Sequence, residues 1–184
     1  MSDGQEQLRD ALKRAASALK QHGPDFALGG SYALWVHGAP EPVHDVDMVV
    51  AEADAEHAAR TLGEAGFDIE RTPEDWLLKA RTGDALVDVL HRLCGEPVHG
   101  DLLARAEAHD VLGVRIPVLP PTEMVSVKLR SLTEHYCDFA ALLPAVRAVR
   151  ERLDWTRIRK ETADNDFAVA FLVLTDRLGI SDSA

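Results

Sequence analysis

Cysteine, aromatic residues and long apolar runs are all scarce in this chain of 184 residues. The two cysteines, Cys94 and Cys137, form no CxxC pair, which argues against a disulfide scaffold and fits a reducing cytoplasm. Neither the cysteines nor the eight histidines show zinc-ligand spacing. No apolar run approaches the roughly 18 residues that span a bilayer, so no membrane partner is expected. The opening MSDGQEQLRD is polar and mixed in charge, unlike a secretory signal, and a cytoplasmic location is expected. Internal repeats and low-complexity segments are absent. Basic charge is the minority: 20 Lys and Arg stand against 31 Asp and Glu, a net of −11, which disfavours a dedicated nucleic-acid binder. What remains is a chain 46% hydrophobic and 28% charged, able to bury the core of one domain, with room for a small helical annex.

The charge is unevenly spread. Residues 1–120 carry a net of −10, residues 121–160 a net of +3, and the last 24 residues a net of −4. An acidic body suits metal ions. The basic stretch suits a phosphate-bearing partner or, equally, an ordinary solvated helix face.

Apolar spacing predicts a helix over 5–21, stopped by Gly23-Pro24. A short strand, Phe26-Ala27-Leu28, then runs into Gly29-Gly30-Ser31 and a helix ending at Gly38. A loop with two prolines covers 39–44, and Asp45 to Val50 reads as a strand. A helix over 53–65 and strand candidates at 67–71, 76–81 and 85–91 follow, the middle one ambiguous in type. Residues 98–108 read as a helix and Val114 to Leu119 as a strand. Beyond Pro120-Pro121-Thr122 the pattern is helical throughout, with helices expected at 135–152, 154–163 and 165–178. The expected fold class is α+β: a small mixed β-sheet with packed helices over residues 1–119, and a helical C-terminal part over 120–184 within the same compact unit.

The chemistry concentrates in FALGGSYALWVHGAPEPVHDVDMVV, residues 26–50. Asp45 and Asp47 lie two apart in a strand and therefore project from one face. That is either a polar strand face or a pair whose repulsion a divalent cation relieves; Mg²⁺ favours such oxygen ligands. Gly29, Gly30 and Ser31 fall where strand passes to helix. There the backbone turns sharply and free N–H groups, with the Ser31 hydroxyl, can hold phosphate oxygens, or Ser31 simply caps the helix. A third carboxylate, Asp88 in ALVDVL, is flanked by apolar residues and needs either a charge partner or an edge position facing water. His44 and His91 flank this acidic set. Trp35, Trp76 and Trp155 read as core or interface aromatics.

These motifs resemble those of the DNA polymerase β-like nucleotidyltransferases: Leu28-Gly29-Gly30-Ser31, then Asp45-Val46-Asp47-Met48, then a later strand carrying Asp88. Farther on, VLPPTEMVSVKLRSL and HYCDFAALL resemble the helical part of AbiEii-like toxins of bacterial toxin–antitoxin pairs, with Lys128 and Asp138 at the recurring lysine and aspartate. The likeness runs from about residue 26 to 145. Two places depart from the pattern. Glu41 and Val43 stand where many members carry an arginine and a Ser or Thr, and Glu134 and His135 stand where a basic residue is common.

The resemblance implies transfer of NMP from an NTP to an acceptor hydroxyl with Mg²⁺ or Mn²⁺. Asp45, Asp47 and Asp88 would be the metal-holding carboxylates, and Gly29, Gly30, Ser31 and Lys128 would bind the nucleotide. His44 and Asp138 would support the site. It further implies a tRNA acceptor and a cognate antitoxin protein. Six basic residues at Arg147, Arg150, Arg152, Arg157, Arg159 and Lys160 favour tRNA, whereas the acidic body suits a small-molecule acceptor such as an antibiotic, or a protein. A non-catalytic binding module of the same fold is the remaining expectation.

Overall fold

The computed structural model describes residues 3–181. Helix α1 (Asp3–His22) buries one stripe, Leu8, Leu12, Ala15, Ala16 and Leu19, as its spacing requires. It leads into β1 (Phe26–Leu28), α2 (Gly30–Val36) and β2 (Val46–Val50). After a 3₁₀ turn come α3 (Ala55–Glu64), β3 (Asp68–Arg71), β4 (Leu77–Thr82) and β5 (Ala85–Leu90). A small hairpin, β6 (Arg92–Leu93) and β7 (Glu96–Pro97), precedes α4 (Gly100–Leu103), β8 (Glu107–Val111) and β9 (Val114–Val118). The remainder is helical: α5 (Pro121–Arg130), α6 (Phe139–Val149), α7 (Trp155–Glu161) and α8 (Asp166–Arg177).

Seven strands form one mixed sheet in the order β3-β4-β5-β2-β1-β9-β8. Strands β2 and β5 are parallel, with Val46 opposite Val87, Asp47 opposite Asp88 and Met48 opposite Val89. Strands β1 and β2 are antiparallel, and β1 meets β9 in parallel. Alternation then decides the faces. Val46, Met48, Ala80, Val87 and Val89 point to one face and are almost wholly buried. Helices α1 and α3 lie side by side against that face. Asp47, Asp88 and Lys79 point to the other. Over β2 this second face is covered by α2, against which α5 packs; over β5 and β4 its Lys79, Arg81 and Leu86 are half-buried or exposed. Among the described residues no helix is long and apolar enough to cross a membrane.

The helix expected over 98–108 is corrected. Only Gly100–Leu103 is helical, and Glu107–Val111 pairs with β9 as a hairpin, Val111 opposite Val114. Ala, Arg and Glu in 104–107 favour a helix intrinsically, but the chain turns at 104–105, and from Glu107 onward ladder pairing outweighs a preference of about 0.7 kcal/mol per residue or less. The two-residue Leu112-Gly113 loop, with φ of 52° and 84°, makes the turn.

Candidate active site

Sequence and register together build the site. Strand β1 ends at Leu28, and Gly29 donates its N–H to the Asp47 carbonyl at 2.9 Å, which holds the turn against β2. Gly30 has φ +54°, and a Cβ there would lie 1.6 Å from Asp47 Oδ2, so only glycine lets the turn ride over this carboxylate. Ser31 donates its backbone N–H to the Asp47 carboxylate. Helix α5 supplies the roof. Met124 Sδ accepts the Gly30 N–H at 3.1 Å, and Lys128, one turn on, stands close enough to Asp47 for its charge to be felt there.

Asp45, just before β2, Asp47 in β2 and Asp88 in β5 bring carboxylate oxygens within 4.8 Å of one another. The adjacent parallel strands place Asp47 and Asp88 at one level, and the i, i+2 spacing adds Asp45. The electrostatics match that crowding. Burial, with the Asp45 charge next, pushes Asp47 up to about 7, although Lys128 opposes the shift. Burial and then Asp45 push Asp88 up to about 6, against the opposing charges of Lys79 and Arg81. Asp88 Oδ1 is buried with no hydrogen-bond partner among the described residues. Three hard oxygen donors that repel one another, one of them orphaned, fit a divalent cation of the Mg²⁺ or Mn²⁺ kind.

The other expected residues lie as follows. Gly29 is buried, and Gly30 and Ser31 are half-buried beside Asp47. The Ser31 hydroxyl has no hydrogen-bond partner, and Lys128 no ion pair at salt-bridge distance, among the described residues. His44 is exposed next to Asp45. Asp138 is exposed and caps α6, accepting the Ala141 N–H at 3.0 Å. Glu41 in the loop before Asp45 receives a two-pronged hydrogen bond from Arg9 of α1, both contacts at 2.6 Å. The basic run of the C-terminal helices is partly engaged: Arg157 and Arg159 are half-buried and tie helices together, while Arg147, Arg150, Arg152 and Lys160 are exposed. Arg157 grips Glu123 at 2.6 and 2.8 Å, Arg159 meets Asp176 at 2.5 Å, Arg150 meets Glu151 at 3.0 Å, and Arg152 donates to His37 at 3.3 Å.

Two cations beside the carboxylates escaped the reading of the sequence. Lys79 pairs across strands with Asp88, and Arg81 with Leu86. The two-residue Gly83-Asp84 loop sets Thr82 opposite Ala85, and counting back from that turn brings Lys79 to Asp88. That loop was the available signal.

No known family profile and no curated protein sequence matches the chain. Solved structures do. A candidate nucleotidyltransferase from Thermotoga maritima is 23% identical, with a TM-score of 0.54, over 68% of this chain and 84% of that one. The antibiotic-resistance factor ANT(2″)-Ia, solved with adenylyl-2″-tobramycin, is 13% identical with a TM-score of 0.61, over 91% of this chain and 98% of that one. A candidate nucleotidyltransferase from H. pylori is 14% identical with a TM-score of 0.56, over 95% and 83%. The mixed sheet, its packed helices and these likenesses give the chain the nucleotidyltransferase fold.

Proposed function

We propose that the chain transfers a nucleoside monophosphate from an NTP to an acceptor hydroxyl. The observation that carries this reading is the meeting of Asp45, Asp47 and Asp88 within 4.8 Å, beside a glycine turn that only glycine can make. The three carboxylates would hold a divalent cation, which when bound neutralises phosphate charge and polarises the phosphoryl oxygens. Lys128 binds the triphosphate from the roof of the site, and the Ser31 hydroxyl donates to a phosphate oxygen. Asp88 borders the open part of the face, and its carboxylate takes the proton of the acceptor hydroxyl. The acceptor oxygen forms a bond to the α-phosphorus, the bond from that phosphorus to the bridging oxygen breaks in line, and pyrophosphate leaves.

The acceptor we propose is a small hydroxyl-bearing molecule. ANT(2″)-Ia, solved with an adenylylated small molecule, supports this because its likeness runs nearly the length of both chains. The engagement of Arg157 with Glu123 and of Arg159 with Asp176 removes two of the six basic side chains that a tRNA body would need. A tRNA acceptor, with an antitoxin as partner, is the second reading. Arg147 and Lys160 favour it, being exposed and without an ion pair among the described residues. Incubation with Mg²⁺, each α-labelled NTP and separate pools of tRNA and small hydroxyl compounds tests both. Label is expected in one acceptor pool and none with Asp47→Ala. Label that persists in Asp47→Ala sinks the proposal.

A further inference from the structure

The carboxylate trio has two unlike flanks. On one side Gly29, Gly30, Ser31 and Lys128 close over Asp47 beneath α2 and α5, and an NTP fits there on the reading above. On the other side the sheet face is open around Lys79, Arg81 and Leu86, while Leu77, Asp88 and Leu90 of the same face are buried. The charged side chains bordering Asp88 there are Lys79, directly opposite on β4, and Arg81, two residues on. Both are felt electrostatically at Asp88, against the crowding carboxylates of Asp45 and Asp47. Lys79 is half-buried and has no ion pair at salt-bridge distance among the described residues. Arg81 is exposed and, among the described residues, donates through Nε to Glu70 at 3.3 Å, with no hydrogen bond from its two terminal nitrogens. Glu70 lies across from Lys79 on the far strand, and Asp68 across from Arg81. The order from the centre outward is therefore carboxylate trio, cations, then carboxylates at the sheet edge.

Beyond the transfer reaction itself, on whose assignment this rests, we infer that Lys79 and Arg81 form the acceptor subsite and select an acceptor carrying a phosphate close to its reacting hydroxyl. A cation one strand away from the carboxylate that receives the hydroxyl proton sits where such a phosphate would lie. The same cation repels an ammonium group, so a polyamino sugar is disfavoured. The guanidinium of Arg81 can meet phosphate with two parallel hydrogen bonds, while Lys79 supplies a point charge. The required chemistry, a hydroxyl beside a phosphate, occurs in sugar phosphates and in the terminal nucleotides of RNA.

The test uses the whole chain with Mg²⁺ and labelled NTP, and three acceptors: a sugar phosphate, a short RNA with a free 3′ hydroxyl, and tobramycin. Wild-type protein is expected to label one of the two phosphate-bearing acceptors, and which one identifies the source. Lys79→Glu should raise KM for that acceptor about tenfold, the scale of reversing one partly screened charge, with kcat changed less. Arg81→Gln, which removes the charge at an exposed position without setting a carboxylate against Asp68 and Glu70, should raise it about threefold. Equilibrium binding of the Mg-NTP should be unchanged in both variants. Labelling of tobramycin alone, labelling of none of the three, or an unaltered KM in both variants overturns the acceptor assignment while saturable Mg-NTP binding keeps the transfer reading. Loss of Mg-NTP binding by wild-type protein overturns the transfer reading itself.

Discussion

The carboxylate face of the sheet and the C-terminal helices treat charge in opposite ways. In the helices almost every buried or half-buried charge is answered. Glu123 at the start of α5 is buried and receives Arg157 through two hydrogen bonds, and Arg105 through a third at 2.8 Å. Glu161 accepts from both Ser126 and Arg157. On the sheet face the charges are left unanswered: three crowded carboxylates, an orphaned Asp88 oxygen, and Lys79 and Lys128 without ion pairs among the described residues. A fold tolerates such frustration where a ligand will complete it. The contrast corrects the weight that sequence alone gives to charge. Six basic residues in 147–160 look like a binding surface, but Arg157 and Arg159 hold the helices together, while two isolated lysines lie where chemistry would occur.

The largest effect should come from breaking the unanswered side. Asp45→Ala or Asp47→Ala is expected to lower nucleotidyl transfer about a thousandfold or more, since the site loses a ligand that acts on charge in the transition state. The melting temperature should hold or rise, because removing one of three mutually repelling carboxylates relieves the fold. A variant that melts well below wild type would show that the trio is structural.

Breaking the answered side should do the reverse. Arg157→Ala leaves the buried Glu123 with only Arg105, and removal of one partner from a buried ion pair costs roughly 3–5 kcal/mol. Denaturant unfolding measures this directly. The half-exposure of Arg157 and the surviving Arg105 contact place the expected loss at the low end, about 3 kcal/mol. Transfer measured well below the melting temperature should change less than twofold. A stable variant with transfer abolished would move Arg157 into the acceptor or nucleotide site.

Acidity offers a finer cut. Asp47 and Asp88 are held near 7 and 6, above the ordinary 3.8 of an aspartate, so the folded chain binds more protons than the unfolded one between about pH 4 and 7. Stability of the metal-free protein should therefore fall as pH rises through that window. Asp47→Asn should flatten the fall, gaining on wild type at pH 8 and little at pH 5. Added Mg²⁺ should stabilise wild type more at pH 8 than at pH 5, because the cation competes with protons for the same oxygens. Thermal melts at the two pH values, with Mg²⁺ or with chelator, check both signs.

Much of the site was legible because it is local. Gly29-Gly30 after an apolar triplet, an i, i+2 pair of aspartates in a strand, and a third aspartate within ALVDVL each follow from short-range rules. Their convergence needed β2 and β5 to be neighbours in register, and no local pattern shows that these two strands run parallel. The Lys79–Asp88 pairing was within reach, because Gly83-Asp84 is a hairpin turn and fixes its own register. The hairpin β8–β9 was harder. Residues 104–107 prefer a helix by composition, but the chain turns at 104–105 and Glu107 already pairs with Val118 of β9 at the sheet edge. The engagement of Arg157 and Arg159 was beyond sequence altogether, since their partners Glu123 and Asp176 are chosen by how separate helices pack.

The smallest expected effect tests a place where the two treatments of charge meet. Glu41 stands in the loop before Asp45, where many nucleotidyltransferases resembling this chain carry an arginine, and Arg9 of α1 reaches across to grip it with two hydrogen bonds. The pair ties the loop to the first helix, next to Tyr32, whose hydroxyl is buried without a partner among the described residues. Burial and the Glu41 charge both push that hydroxyl up, to about 12, so it stays neutral and leaves Arg9 as the counter-charge of Glu41. Glu41→Gln keeps the shape and removes the charge. It should cost about 1 kcal/mol, the upper range for a partly exposed pair, because Arg9 can still donate to the amide oxygen. If the pair only anchors the loop, transfer falls about twofold and 0.5 M salt weakens wild type and variant toward the same stability. If Glu41 instead keeps Arg9 away from the triphosphate, the variant should bind Mg-NTP more tightly than wild type. Titration of the NTP against both proteins separates an anchor from a gate.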